Sequence, residues 1–461
     1  MSETGGAGPA AAAAEVVRLE RLCEQVLAGL GAGTGIEAQV TATASRWGLT
    51  RFANSGIHQH VGEHTVTVAL QAAFDGRVAA ATTSRTDDAG LYELVQRVEG
   101  AAAVRPVDPE WPGVTPPTDV ADVDHADPAT QEPDPAARAA HVEKFVAAGE
   151  ATRAAGYVDS AGSRTVFANS AGHHATGWWT RATIDGIHQT TTSAGKGHQT
   201  SRRLEALDGG ATGRRAARLA VDSADAGELE PGRYEVVLSH ECVATIAQFL
   251  AFYGFNAKAH LEGQSFVELG AQQFDERLQL WDAALDERAL GLGFDAEGSP
   301  KRQLQLVTDG VTRNLAHDRR TARRAGTQTT GHAIAGGEVY GPVPTNLFVG
   351  AGDARDVDAL VAQVDRGLLV TEFNYCRVLD PRTQVVTGLT RNGTFLIERG
   401  EVTRPVSNLR FTQSFVAGVG PDRLLAATAD TRFADGEFGP GMVHCPALRL
   451  ASWNITGGAR G

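Results

Sequence analysis

The stretch Tyr234-Glu-Val-Val-Leu-Ser-His-Glu-Cys-Val-Ala-Thr-Ile-Ala-Gln-Phe-Leu250 joins a predicted strand directly to a predicted helix. The short run up to Leu238 is apolar enough for a buried strand, and it ends at Ser239. The apolar residues of the second part recur with helical spacing at Val243, Ile246, Ala247 and Leu250. This spacing predicts a helix from about His240 to Tyr253. A strand running straight into a helix places Ser239, His240 and Glu241 at the junction between them.

The pair His240-Glu241 is part of a helical zinc motif. In such motifs two histidines one turn apart bind the metal from one helix face, and the adjacent Glu is the general base. The second histidine is absent here, since position 244 is Ala and position 245 is Thr. One His and one Glu cannot hold zinc, which takes three protein ligands and an open position. Cys376 is the other candidate ligand, although a lone Cys in a strand is usually a small buried hydrophobe.

A repeated segment organises the sequence upstream. Phe52-Ala-Asn-Ser-Gly-Ile-His58 recurs as Phe167-Ala-Asn-Ser-Ala-Gly-His173, and both copies lie between β-rich runs. Asn-Ser between strand residues favours a tight turn. The sequence therefore predicts two hairpin ribbons in one long sheet. Four histidines near the turns raise the question of a metal site, but no acidic or Cys partner has a fixed spacing to them, which favours exposed turn residues; they are His58, His60, His173 and His174.

Helical patterns flank these ribbons at residues 15–30 and 87–103, after a tail at 1–14 that is expected to be flexible. Residues 106–135 contain eight of the 18 prolines and cannot form a helix or a central strand. A surface loop is favoured there over an inter-domain linker, because helix is predicted again over 136–156. We predict an α+β protein, with a boundary near residue 230. Residues 1–230 form an α/β-type domain with long antiparallel hairpins, and residues 231–461 form a β-rich domain.

Composition excludes several classes of protein. The 461 residues carry a net charge of -13, so no basic surplus favours a nucleic-acid ligand. No apolar segment reaches the ~20 residues that a membrane span needs. The four cysteines form no CxxC pair, and the first residues lack the pattern of a secretory signal. These features predict a cytoplasmic protein with reduced thiols. An Arg-rich run from His317 to Arg324 is expected to be solvated or to lie at a subunit interface.

Several motifs together resemble the TldD/PmbA (TldE) family of metallopeptidase-like proteins. The first half contributes Arg51-Phe-Ala-Asn-Ser and Asp75-Gly-Arg, and the middle contributes Val236-Val-Leu, the following helix and Asp295-Ala-Glu-Gly-Ser-Pro. The last part contributes three further matches, which are Pro344-Thr-Asn-Leu-Phe-Val, Asp380-Pro-Arg-Thr and Gly393-Thr-Phe-Leu-Ile-Glu-Arg-Gly.

The resemblance implies a function for the chain as part of a complex. In that family a catalytic subunit carries HExxxH and a distal Cys as zinc ligands, and its partner keeps the fold without that set. His240 and Glu241 match the first two motif positions, Thr245 replaces the second histidine, and Cys376 lies in the region of the distal Cys. The chain is thus expected to resemble the TldE-like subunit. It would bind no cofactor itself, and zinc would lie in a TldD-like partner of a heterodimer.

The same resemblance implies a short or unfolded peptide, or an amide-linked intermediate, as substrate. The segment Pro344, Thr345, Asn346 and Leu347 is where the family would seat an extended peptide by strand addition, although these residues equally fit the start of an internal strand. Two other functions stay open. One is a hydrolase active on its own, with Glu241 as base and His240 and Cys376 on a metal. The other is a binding protein with no hydrolytic partner. Another possibility is that His240 and Glu241 only cap the helix.

Overall fold

The computed structural model describes residues 9–31 and 35–458 of the chain. The N-terminal half consists of these elements: α1 (Pro9–Gly29), β1 (Ile36–Ala53), β2 (Gly56–Phe74), β3 (Arg77–Thr83), α2 (Asp88–Ala103), α3 (Pro128–Gln131), α4 (Pro135–Ala147), β4 (Arg153–Asn169), β5 (His174–Gln189), β6 (Ala194–Ser201), a 3-10 turn (Leu204–Ala206) and α5 (Gly209–Asp222). Helix α1 thus begins inside the segment expected to be a flexible tail, whose residues 1–8 lie outside the described part. The helix predicted over 136–156 is shorter, because α4 ends at Ala147.

The two hairpin ribbons lie side by side in one antiparallel sheet, which confirms the prediction from the repeat. The strand order is β3-β2-β1-β4-β5-β6, with β1 and β4 paired at the centre. Even-numbered residues of β1 and β4 carry the apolar clusters beneath all the long helices, so these helices cover one face of the sheet. The opposite face is left to contact the C-terminal half.

Strand β6 shows what each face of this sheet does. Gly195 and Gly197 face α5, and a Cβ added to either would lie 2.3 Å from backbone atoms of that helix. Only glycine therefore allows α5 to pack so closely on the strand. Lys196 and His198 alternate with the glycines and point to the other face. Strand β6 thus positions helix α5 on one face of the sheet and the side chains of Lys196 and His198 on the other.

The C-terminal half consists of these elements: β7 (Gly232–Leu238), α6 (His240–Phe249), a π-helix (Leu250–Gly254), α7 (Ala257–Leu261), β8 (Leu280–Asp282), β9 (Leu304–Thr308), β10 (Val311–Thr312), α8 (Arg319–Ala325), α9 (Gly337–Tyr340), β11 (Leu347–Val349), α10 (Val357–Val361), β12 (Arg366–Asp380), β13 (Val385–Glu398), β14 (Glu401–Pro405), β15 (Leu409–Ser414), α11 (Phe415–Gly418), β16 (Leu424–Ala427), β17 (Arg432–Gly436), β18 (Gly439–Cys445) and β19 (Leu448–Gly458). The α+β class with a β-rich second half is confirmed.

A closed sheet forms the core of this half. The order β12-β7-β19-β15-β13 returns to its start, because β12 also pairs with β13. A second sheet has the order β10-β9-β8-β11-β18-β17. Helix α6 contacts β12 of the first sheet and β17 and β18 of the second, and all its residues are buried. Burial on every side explains why its polar residues need partners inside the protein.

The Pro-rich segment 106–135 is mostly a loop, and it contacts the C-terminal half. The prediction that it forms no helix was wrong for α3, which starts at Pro128, because proline is tolerated in the first turn of a helix. The Asp108 carboxylate is bonded to Arg320, and Arg319 donates to the carbonyl oxygens of Pro112 and Val114 at 3.1 and 3.0 Å. The Arg-rich run therefore lies at an interface within the chain. His173 also belongs to this interface: it is buried, with Nε2 2.8 Å from the Gly298 carbonyl oxygen, so the prediction of an exposed turn residue was wrong for it.

None of the described helices combines the length and apolar character that a membrane crossing requires.

Candidate functional site

The start of α6 opens onto a cleft with a volume of about 830 Å³. Ser239, His240 and Glu241 form part of its wall. Residues of helix α5 in the N-terminal half also line it, as do Glu372 and Arg432. The Ser239 amide donates to the Val370 carbonyl at 3.0 Å, which fixes the junction between β7 and α6. The sequence placed the helix start correctly, and the structure adds that it faces a cleft between the two halves.

Glu241 is held by a guanidinium. Its Oε1 accepts a hydrogen bond from Arg432 Nη2 at 2.8 Å, and the residue is only 8% exposed. Burial alone would raise the pKa of this carboxyl, but Arg432, Arg215 and His240 together hold the pKa far below its usual range. A general base works best with a pKa near the operating pH. Glu241 is therefore a permanent ion-pair partner and a poor base.

His240 is buried beside the same guanidinium. Its Nε2 lies 3.3 Å from Asp430 Oδ2 but without hydrogen-bonding geometry, so this ring nitrogen has no hydrogen-bond partner among the described residues. Burial and the charge of Arg432 lower the pKa of His240 to about 4, against the attraction of Glu241 and Asp430. The imidazole is consequently neutral near pH 7, and His240 is one of the residues that line the cleft.

The lowered pKa of His240 predicts a loss of stability in acid. The unfolded chain takes up a proton near pH 6.5 and the folded chain only near 4, so the free energy of unfolding falls as the pH drops through this window. At about 1.4 kcal/mol per pKa unit, the loss approaches about 3 kcal/mol below pH 4. We expect His240→Gln to remove this part of the pH slope in urea unfolding. His58→Gln, at an exposed position, is the matched control; an unchanged slope in His240→Gln would contradict the prediction.

Cys376 does not line the cleft. It is buried in the closed sheet, where a Cβ added to Gly388 would lie 2.8 Å from its Sγ. Burial raises the pKa of this thiol well above its ordinary value, whereas a metal ligand must be a thiolate. The cysteine that reaches the start of α6 is Cys445, whose Sγ donates to the His240 carbonyl at 3.3 Å. Burial raises the pKa of that thiol as well.

The residues around His240 do not fit a zinc ion. Thr245, at the position of the missing histidine, donates its hydroxyl to the Glu241 carbonyl one turn earlier at 3.1 Å. The Arg432 guanidinium lies next to both Glu241 and His240 and would repel a divalent cation. With one imidazole, no thiolate and a resident cation, this part of the chain lacks the three ligands that zinc requires.

A second cluster of charges lies deeper, where β6 meets the C-terminal half. Asp185, His198 and Asp435 have the mutual spacing of a metal site. Its centre is occupied by the Lys196 ammonium, which lies 3.2 Å from Asp185, 3.0 Å from Glu372 and 2.9 Å from Asp435. Burial alone would lower the pKa of Lys196, but these three carboxylates hold it above its ordinary value. The ammonium is thus the built-in cation of this cluster.

Sequence reasoning missed both resident cations. Of the three partners of Lys196 only Asp185, on the neighbouring strand, is close in sequence, while Glu372 and Asp435 are 176 and 239 positions away. Arg432 pairs with a residue 191 positions away, so local spacing indicates neither site. One signal was present in the composition. Lys is rare in this chain, where nearly all basic residues are Arg. The lysine ammonium is a compact charge with three donors, which suits a point that three carboxylates surround.

The segment Pro344–Leu347 lies inside the protein. Leu347 begins β11, which pairs with β8 on one side and β18 on the other. The Asn346 amide donates to Asp282 Oδ2 at 2.6 Å, and Pro344 is buried. Because both edges of β11 are already paired, a peptide strand could add there only by displacing part of the sheet. The segment thus has the internal-strand position that was the alternative to peptide binding.

Comparisons with known proteins agree with this architecture. The family model described as the PmbA/TldA metallopeptidase C-terminal domain matches residues 231–457. The chain is 26% identical over 184 residues to a metalloprotease TldD homolog of Haemophilus influenzae, covering 38% of each chain. It is 27% identical over 300 residues to a metalloprotease of Synechocystis, covering 59% of each chain. The matched part thus spans less than two thirds of these relatives.

A solved structure matches over almost the whole chain. TldE from Thermococcus kodakarensis superposes with a TM-score of 0.84, covering 95% of this chain and 100% of that one. The sequences are only 15% identical, so this match shows a shared fold and carries no information about activity.

Proposed function

Since the chain belongs to the TldD/PmbA family of metallopeptidase-like proteins, we propose that it is a non-catalytic TldE-like subunit. It would pair with a TldD-like partner that holds the zinc and hydrolyses an amide bond. This chain would close the chamber and bind the short peptide or amide substrate in the cleft at the start of α6. The complex would act in the cytoplasm, in keeping with the buried free cysteines of this chain.

The Glu241–Arg432 ion pair is the observation on which this proposal depends. In a catalytic subunit of this kind the equivalent Glu takes a proton from metal-bound water. Here a guanidinium occupies the hydrogen-bonding position at 2.8 Å and holds the pKa of Glu241 far below its usual range. A carboxylate with so low a pKa stabilises the fold as an ion-pair partner, and it accepts a proton poorly at neutral pH. The cleft itself remains, with the volume of a small-molecule or short-peptide site.

The test combines this chain with a TldD-like protein from the same organism. Zinc content and cleavage of a set of short peptides are measured for each chain alone and for the pair. We expect hydrolysis by the pair and none by this chain alone, with zinc bound only to the partner. Zinc-dependent hydrolysis by this chain alone would contradict the proposal and favour a hydrolase acting by itself. The absence of any stable complex would favour a binding protein without a hydrolytic partner.

A substitution in this chain sharpens the test. We expect Glu241→Gln to leave the kcat of the pair within about threefold, because Gln keeps the shape and can still accept from Arg432. Loss of a general base would instead lower the rate ~10²–10⁴-fold. The matched control replaces the Glu of the partner's own zinc motif, which should abolish hydrolysis. A loss of two orders of magnitude in Glu241→Gln, with assembly unchanged, would assign the base to this chain.

A further inference from the structure

We propose that the cleft recognises its ligand by a carboxylate group, which binds between Arg432 and His240 at the first turn of α6. This inference takes the identity of the ligand, a short peptide or amide, from the proposed function. It adds which chemical group of that ligand is recognised and which residues recognise it.

Two buried polar atoms at the start of α6 carry the argument. Arg432 uses Nη2 for Glu241, while its Nη1 is buried and has no hydrogen-bond partner among the described residues. His240 Nε2 is likewise buried without a hydrogen-bond partner among the described residues, and His240 is only 4% exposed. Both residues line the cleft. A buried polar atom without a partner costs about 1–3 kcal/mol, so these two atoms indicate a site that a ligand completes. Arg432 Nη1 is a donor, and His240 Nε2 donates in the tautomer that carries its hydrogen there.

The helix itself adds a positive end. Helix α6 has ten residues, and its N-cap Ser239 makes no side-chain hydrogen bond to the first-turn amides. These amides and the helix dipole favour a negative group at this end. Ser239 lies in the cleft wall beside His240, so the dipole acts at the same place as the two unpartnered atoms.

The balance of charge in this wall favours an anion over a cation. Arg432 and Arg215 share one buried carboxylate, Glu241. Burial and the neighbouring charge of Arg432 lower the pKa of Arg215 to about 10, which still leaves it protonated at neutral pH. Over the whole lining of the cleft, six basic residues stand against five acidic ones, which leaves one positive charge in surplus. The basic residues are Lys196, Arg214, Arg215, Arg218, Arg404 and Arg432, and the acidic ones are Asp222, Glu241, Asp358, Glu372 and Asp430. Asp430 Oδ2 lies 3.3 Å from His240 Nε2, on a side chain that is 53% exposed, so contact with water weakens its repulsion of an incoming anion.

A carboxylate suits this geometry better than a larger anion. The planar guanidinium already engages one carboxylate with Nη2, and Nη1 can donate to a second one. Apolar side chains on other parts of the wall would contact a neighbouring hydrophobic group of the ligand; they are Leu369, Phe395, Val402 and Pro405. The ligand class is therefore a short peptide or amide that carries a carboxylate next to an apolar group. Both a C-terminal carboxylate and an acidic side chain would meet this description.

Three peptides distinguish the sources. The probes are acetyl-Ala-Ala-Leu with a free carboxylate, the same peptide as its C-terminal amide, and acetyl-Ala-Asp-Leu-amide. Binding is measured by calorimetry to the full chain alone and to its complex with the TldD-like partner. We expect at least one carboxylate peptide to bind ~10-fold or more tightly than the neutral amide, which is about 1.4 kcal/mol. The stronger of the two identifies the source of the carboxylate.

Two variants test the residues. In Arg432→Lys a single ammonium must choose between Glu241 and the ligand, so the preference for the carboxylate should fall to within about twofold. In His240→Gln it should fall several-fold, since Gln keeps a polar group but not the ring geometry. Arg355→Lys is the matched control, because Arg355 pairs with Asp356 on the surface, and it should keep the full preference. Thermal unfolding of each variant checks that it is folded.

The outcomes separate this inference from the proposed function. Equal binding of acid and amide, a preference that survives Arg432→Lys, or no binding of any probe to chain or complex would overturn the carboxylate site. Hydrolysis by the pair without such a preference would leave the proposed function standing and remove this inference. A clear preference for the carboxylate peptides, with no hydrolysis by the pair, would support this inference and contradict the proposed function.

Discussion

Lys196→Met is expected to destabilise the folded chain by about 3–5 kcal/mol, because it removes the cation from a buried cluster of carboxylates. The Lys196 ammonium lies within 3.2 Å of three of them, Asp185, Glu372 and Asp435. Met fills a similar volume, so the loss reflects charge more than packing. The free energy of unfolding from urea titrations at pH 7 measures the effect.

Two comparisons make this result specific. Lys258→Met removes a lysine whose partner is Glu262 on a helix surface, and it should cost less than about 0.5 kcal/mol. Adding Glu372→Gln to Lys196→Met should recover part of the loss, since one of the uncompensated charges is then removed. If Lys196→Met cost no more than the surface variant, the cluster would not be the electrostatic link between the two halves that its geometry indicates.

Arg432→Met is expected to cost about 3 kcal/mol at pH 7, because Glu241 would keep its charge in a buried site after losing its 2.8 Å partner. The nearby Arg215 limits the loss without replacing the hydrogen bond. The pKa of Glu241 is held below its ordinary value of 4.5 in the folded chain. This stabilisation is therefore present above about 4.5 and is lost as the pH falls below it, so the cost of the substitution should shrink in acid.

A double-mutant cycle gives the decisive comparison. Glu241→Gln combined with Arg432→Met should be more stable than Arg432→Met alone, because no buried charge is left unpaired. Arg218→Met is the control from the same cleft, since Arg218 is mostly exposed and pairs with Asp222, and it should change stability by less than about 0.5 kcal/mol. Additive effects of the two substitutions at positions 241 and 432 would show that the pair is not coupled.

The elements that were predicted from sequence have local signals. The spacing of Val243, Ile246 and Leu250 indicated α6, and the repeat ending at His58 and His173 indicated the two ribbons. Periodicity reports which face of an element is buried, and this information lies within a few residues. The missing second histidine was likewise visible as Thr245. These features were sufficient for the fold class, the family resemblance and the start of α6.

The partners of the site residues were beyond such reasoning. Arg432 and Lys196 meet their carboxylates only because distant strands are brought together by the fold. The sequence indicated Cys376, yet Cys445 is the cysteine whose thiol reaches the His240 carbonyl. The reason is again the fold, because β18 packs against α6 and brings Cys445 there. His173 was expected at the surface because its local sequence is a turn, yet the Pro-rich loop and the Gly298 region bury it.

The alternation along β6 limits how this region of the chain can change in length. Gly195 and Gly197 admit the helix while Lys196 and His198 enter the charged cluster on the other side. Insertion or deletion of one residue before this strand would turn every side chain over, pressing a lysine into the helix and leaving the carboxylates facing glycine. A shift by two residues would keep each side chain on its face, but it would bring Ser193 or Gln199 to a place where only glycine fits against the helix. Changes of length that shift this strand by one or by two residues should therefore both be destabilising.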